Sequence, residues 1–106
     1  DNQVLEVVEQ MPTFPGGQKA LLQYISDNIK YPSIAQENGI QGRVVVRFVV
    51  KKDGSVGEVQ VLRGVDATLD KEAVRVVKSI PNFIPGKQNG HAVNVWFTLP
   101  VQFKLM

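Results

Sequence analysis

The stretch from Ala92 to Leu105 limits the possible folds of this chain more than any other. Val93, Val95, Phe97, Leu99, Val101, Phe103 and Leu105 alternate there with Ala92, Asn94, Trp96, Thr98, Pro100, Gln102 and Lys104. A period of two turns one set toward a buried face of a strand and the other set away from it. No further element follows in the sequence, so this strand is expected at a sheet edge. Its free N–H and C=O groups would then be open to pairing with another chain.

The chain has 106 residues, enough for one domain with a real core and too few for two. Hydrophobic residues make up 43% and charged residues 21%, which excludes disordered and collagen-like classes. Twelve Lys and Arg stand against ten Asp and Glu, and they are scattered rather than clustered. A net charge of +2 without a basic run is no footprint of a nucleic-acid binder. Cysteine is absent, which removes disulfides, thiolate catalysis and cysteine metal sites. No window approaches the roughly 18 to 20 apolar residues of a membrane span, and the N-terminus is neither basic nor a hydrophobic signal segment. Starting at Asp1, the chain reads as processed or excised from something longer, with any anchor upstream.

Residues 1–17 carry an apolar patch at Val4, Leu5, Val7 and Val8, followed by Pro12, Pro15, Gly16 and Gly17. This segment is expected to be an extension or linker, its patch either a short strand covering an edge or a tail. Residues 18–106 form the domain proper. Leu21, Leu22, Ile25 and Ile29 recur at helical spacing from Gln18 to Ile29, and Pro32 ends that helix by restricting Tyr31. Ser33 to Asn38 can add one or two turns, capped by Gly39. Val44, Val46, Phe48 and Val50 then line one face of a strand from Gly42 to Val50, with Arg43, Val45, Arg47 and Val49 on the other. Asp53-Gly54 turns the chain back into a second strand, Val56 to Arg63. Thr68 is the expected N-cap of a second main helix, with Asp70 and Glu72 near its positive end. Leu69, Ala73, Val76, Val77 and Ile80 form its apolar stripe, and Asn82 to Gly90 is expected to be loop.

A helix returning the chain after the second strand makes the closing strand parallel to that second strand. Its antiparallel neighbour is then the first. The expected fold is α+β, a three-stranded antiparallel sheet in the order 2-1-3 with two main helices on the Val44, Val46, Phe48 face.

No catalytic constellation is present in the sequence. His91 stands alone and cannot form a standard zinc site, and no nucleophile elbow occurs. The carboxylates have structural explanations: Asp53 in a turn, Asp70 and Glu72 at a helix start, Glu58 on an exposed strand face. Phe48, Phe97 and Phe103 follow the buried parity rather than forming an RNA-stacking platform. Trp96 has the opposite parity, which leaves two roles open, an anchor against Val45 or Val49 or a partner contact. No cofactor is expected.

Taken in order, Tyr31-Pro32, the run YPSIAQENGIQGRVVVRFVVKKDGSVGEVQVLRG, the helix LDKEAVRVVKSIPNFIPGK and the closing VNVWFTLPVQFKL resemble the C-terminal domain of TonB energy transducers. The resemblance covers residues 18–105, and the FPGG before the first helix is similar to the Bacteroidetes version of the family. It implies a non-enzymatic periplasmic domain, tethered upstream to an inner-membrane helix that works with ExbB and ExbD. Its partners would be TonB-dependent outer-membrane transporters, whose TonB box adds as a strand to the last strand of the domain. The matching positions here are Val93, Asn94, Val95, Trp96, Phe97, Thr98 and Leu99, with Tyr31 and Pro32 in the region that also approaches the transporter. Asn28, Ile29 and Lys30 replace polar Gln residues of better-studied relatives, and Ile34 replaces an Arg. Pro100 lacks an N–H and divides the strand, which assigns Val101 to Leu105 mainly to the core. Two other readings belong to different classes: the extracytoplasmic tail of a BlaR-type regulatory metallopeptidase, and a self-associating module that forms a homodimer through the same edge.

Overall fold

The computed structural model describes residues 3–105. Along the chain run β1 (Val4–Leu5), α1 (Gly17–Asn28), α2 (Ser33–Glu37), β2 (Gly42–Val50), β3 (Val56–Arg63), α3 (Ala67–Lys78), β4 (Gly86–Gln88) and β5 (His91–Phe103). Because β2 carries valine on both faces, it can be enclosed by strands on both sides. It pairs antiparallel with β3, and with β5 along its whole length from Gly42 opposite Phe103 to Val50 opposite Val95.

The sequence expectation of three antiparallel strands needs two corrections. The middle of the sheet does run β5-β2-β3, which is the order 2-1-3 in the earlier terms, but the sheet has five strands. β1 lies parallel to β5, Val4 opposite Asn94 and Leu5 opposite Val95, so the sheet is mixed. Residues 86–88, expected to be loop, form β4 and pair with His91 to Val93 around an Asn89-Gly90 turn. Both turn residues have positive φ, 53° and 78°, as a two-residue hairpin of right-handed twist requires. Neither addition is long enough to show a periodic pattern; each exists because a neighbouring strand offers it hydrogen bonds.

The two main helices, with the short α2 over Ser33–Glu37, cover one face of the sheet. Leu21 and Ile25 of α1, Ala35 of α2, and Leu69, Ala73, Val76 and Val77 of α3 close on Val44, Val46, Phe48, Val50, Leu99, Val101 and Phe103 in one buried cluster. The N-cap of α3 is Asp66 rather than Thr68. Its carboxylate accepts the Thr68 N–H at 2.9 Å and also the Thr68 hydroxyl, and these bonds hold its pKa below the ordinary aspartate value of 3.8. A carboxylate accepts an orphan helix N–H more strongly than a hydroxyl does, which favours the earlier residue.

The loop after α3 carries the aromatic plug of this core. Phe83 is buried, with ring centroids 5.3 Å from Phe14, 5.6 Å from Phe48 and 5.3 Å from Phe97. Its N–H donates to Gly54 C=O at 2.7 Å. Any β-carbon at Gly54 would stand 2.1 Å from the Phe83 carbonyl oxygen, and Gly54 has φ +87°, so the turn demands glycine twice over. Phe83→Ala is expected to cost about 3–5 kcal/mol in urea unfolding, through lost burial and the cavity left behind. A loss below about 0.5 kcal/mol, ordinary for a surface site, would contradict this account of the core.

Candidate functional site

β5 is paired on both sides only at Val95, which lies between Val50 and Leu5. Val93 pairs with Gly86 and Asn94 with Val4, and the Asn94 Oδ1 accepts the Lys52 N–H at 2.9 Å. From Trp96 to Phe103, β5 pairs with β2 alone, and among the described residues no strand lies on its other side. The closing strand is therefore an open edge over its second half and an occupied one over Asn94 and Val95. Of the residues anticipated from the sequence, Trp96, Phe97, Thr98 and Leu99 lie on the open stretch; Val93, Asn94 and Val95 are already paired.

The open stretch also continues past the limit expected from Pro100. Val101 and Phe103 are buried by their side chains, as a core role requires, yet their main chain belongs to the same free edge. Pro100, opposite Val45, removes one donor without ending the ladder, because pairing resumes at Val101 opposite Val44.

Beside this edge runs a groove of about 510 Å³ whose walls are Leu22, Ile25, Ser26, Ile29 and Tyr31 on one side and Pro100, Gln102, Phe103 and Lys104 on the other. The helix pattern explains why it is apolar. Leu21 and Ile25 point into the core, whereas Leu22, one position round the helix, stays 43% exposed on the groove side. Tyr31 stands edge-on to Phe103, centroids 5.6 Å apart at 86°, and its hydroxyl donates to the Ile40 carbonyl. Tyr31 is thereby brought to the C-terminal half of β5. Pro32 serves locally, at the N-cap of α2 with φ −60°. Ile29 lines the groove, and Ile34 is 57% exposed. Sequence reasoning missed Leu22, Ser26 and Gln102. Leu22 carried a signal: it broadens the apolar stripe of α1 beyond what the core uses.

The groove wall is pinned from behind by Glu72. This residue, expected as a favourable charge near a helix start, is buried and accepts the Lys30 N–H at 2.6 Å, Arg75 Nε at 2.7 Å and Arg75 Nη2 at 2.7 Å. Arg75 Nη2 also donates to the Asn28 carbonyl at 2.9 Å. The pair thus clamps both ends of the Asn28–Lys30 link that leads into Tyr31. At the far side of α1, the Tyr24 hydroxyl donates to Ser79 C=O at 2.7 Å. Burial alone would raise the Glu72 pKa. The bonds from Arg75 and Lys30 and their positive charge outweigh it, so the carboxyl titrates below its ordinary value of 4.5.

On the opposite, open face of the sheet, Trp96 lies under Arg47, whose guanidinium carbon is 3.9 Å from the ring centroid. Arg47 Nε donates to Gln60 Oε1 at 2.8 Å, and Arg47 Nη1 stands 3.4 Å from Glu6 Oε1. Trp96 stands directly opposite Val49 in the β2–β5 register, and Arg47 covers the ring from the next position along β2 on that face. Among the described residues no group of three or more His, Cys, Asp or Glu is placed to hold a metal ion.

Residues 27–105 match the family model described as Gram-negative bacterial TonB protein C-terminal. Over 78 residues, 72% of the chain, the sequence is 38% identical to protein tonB2 of Pseudomonas aeruginosa, and the match takes in 28% of that protein. It is 30% identical over 82 residues, 76% of the chain, to the TonB protein of Helicobacter pylori, of which 27% is matched. The chain spans little more than a quarter of the length of these relatives. The solution structure of the Helicobacter pylori TonB C-terminal domain superposes with a TM-score of 0.57 at 26% identity, covering 83% of this chain and 95% of that one. That of Pseudomonas aeruginosa gives 0.55 at 29% identity, covering 76% and 83%.

The depressed Glu72 pKa sets the sign of a pH effect. The stabilisation is complete above the unfolded glutamate pKa and is lost as pH falls through the lower, folded value. Chemical denaturation of the native protein should therefore show stability falling as pH is taken below 4.5, the ordinary glutamate value. Glu72→Gln should be less stable than the native protein at neutral pH by about 1–3 kcal/mol, with a flatter acid limb. Parallel acid limbs for the two proteins would refute the clamp.

Proposed function

The chain belongs to the TonB C-terminal domain family, and we propose that it is the transporter-docking domain of a TonB-type energy transducer. In this reading it is a periplasmic domain. Segments upstream would anchor it in the inner membrane and couple it to ExbB and ExbD, and its own work is mechanical rather than catalytic. No helix among the described residues is long and apolar enough to cross a membrane.

One observation carries the reading: the free edge from Trp96 to Phe103 meets, over its Pro100–Phe103 end, an apolar groove that contains Tyr31. A transporter's TonB box, laid as an extended segment on the side of β5 away from β2, would take up its unpaired N–H and C=O groups. Alternate side chains of that segment would drop into the groove between α1 and β5, against Leu22, Ile29 and Phe103. The others would lie over the open face near Thr98. Main-chain bonds make such a joint tolerant of partner sequence, while the groove selects apolar residues at every second position. Bonds spread along a strand resist a pull along its length together, which suits a domain that must transmit force to a transporter plug.

Titration of the ¹⁵N-labelled domain with peptides from transporter N-termini is expected to shift amides of Trp96 to Phe103 and of Tyr31, leaving the outer edge of β3 unmoved. Shifts confined to β3, or none on β5, would overturn the docking reading. Ser26→Arg places a long side chain across the exposed groove and should weaken peptide binding at least about tenfold, equivalent to 1.4 kcal/mol, with the thermal midpoint unchanged.

A further inference from the structure

The N-terminal segment is held in two unequal parts. Gln10 and Lys87 exchange main-chain bonds at 3.1 and 2.8 Å, as do Thr13 and Ile84 at 3.1 and 2.7 Å, and Val8 and Pro12 are buried. Residues 8–13 are therefore a firm strap. Ahead of it Val7 is 83% exposed, and Val4 and Leu5 are only half-buried, so little packing holds β1 itself. β1 is two residue pairs long. Its end is tied down by Glu6, whose contact to Arg47 at 3.4 Å is solvent-exposed on the Glu6 side, 74% for that side chain. Ion pairs of this kind contribute little.

The position of β1 gives this weakness a use. Leu5 stands opposite Val95, and the next position on the same side of β5, opposite Trp96, begins the open edge. β1 thus lies in line with any strand added to Trp96–Phe103. Such a strand can lengthen its ladder toward Val93 only by taking the place of Val4 and Leu5. The Glu6–Arg47–Trp96 contact sits at that boundary, so a partner reaching it meets the group that holds β1 in place.

We propose that Val4–Glu6 is a displaceable guard of the docking edge: it covers Asn94 and Val95 while the edge is free and yields to a partner strand that extends past Trp96. The proposal rests on the docking reading above and adds to it which residues pair in the bound state. In the free protein the guard shortens the exposed edge and so limits unwanted strand pairing. In the complex, its loss is offset by pairs from the partner. The strap of residues 8–13 stays in place throughout and keeps the displaced segment close enough to return.

The chain has no native cysteine, so Val4→Cys with Asn94→Cys, which are register partners, can be joined by a single disulfide. Oxidised protein has the guard locked and reduced protein has it free; both lack the Asn94 bond to Lys52, so the comparison is internal. The probe is the transporter N-terminal peptide that binds most tightly in the titration above, and the readouts are affinity and amide hydrogen exchange along β5. The locked form should bind about tenfold more weakly than the reduced form, the worth of two net hydrogen bonds. Peptide-induced protection should stop at Trp96 in the locked form and reach Val95 in the reduced one. A double variant, Val4→Pro with Leu5→Pro, should show the extended protection without any reductant. Equal affinity and an equal footprint in both states, with peptide bound on Trp96–Phe103, would overturn the guard and leave docking intact. No protection of β5 in either state would overturn both.

Discussion

The antiparallel ladder between β2 and β5 is the constraint on which the rest of the molecule depends. Its pairing is unbroken from Gly42 opposite Phe103 to Val50 opposite Val95. Because strand side chains alternate, that single register puts Val44, Val46 and Phe48 on the same face as Val101, Leu99 and Phe97. A shift of β5 by one residue would turn its Phe97, Leu99 and Val101 to solvent and bring Thr98 inward. Everything else is arranged around this pair: helices on the apolar face, β3 on the far side of β2, and the free side of β5 left available.

What makes that free side more than a bare edge is the placement of α1. A helix laid on the core needs only the Leu21 and Ile25 stripe, but this one is also tied at its C-terminal end by Glu72 and Arg75 and along its side by Tyr24. These bonds hold the Leu22 and Ile29 wall at a separation from β5 that leaves a groove rather than a closed contact. The clamp also fixes the Lys30 backbone immediately before Tyr31, whose ring closes against Phe103. Stability of the fold and shape of the groove are in this sense one problem, since the same buried carboxylate serves both.

Much of the architecture was legible in the sequence. Alternation in 42–50 and 92–105, the Asp53-Gly54 turn and the Leu69, Ala73, Val76, Val77 stripe are local signals, and each element formed where its signal lay. One short strand was half legible and another was not. The Val4-Leu5 patch left a choice between an edge-covering strand and a tail, and β5 decides it by supplying the partner; Gly86–Gln88 has no periodicity of its own and is a strand only because β5 pairs with it. The Asn89-Gly90 dipeptide is a hairpin signal of its own, but Pro81 and Pro85 break the pattern on its N-terminal side. Glu72 read as a helix-start charge because its partners, Arg75 and the Lys30 N–H, meet it only once α1 has docked on α3.

The site divides in the same way. The sequence by itself determined that the chain ends in a long, one-faced strand, that Pro100 interrupts its donors, and that Tyr31-Pro32 follows an amphipathic helix, because period, proline chemistry and helix stops are properties of neighbouring residues. Only the tertiary structure decided which part of that strand is free. Whether a main-chain group is available depends on what lies beside it in space, and here β1, from the opposite end of the chain, occupies Asn94 and Val95 and leaves Trp96 to Phe103 open.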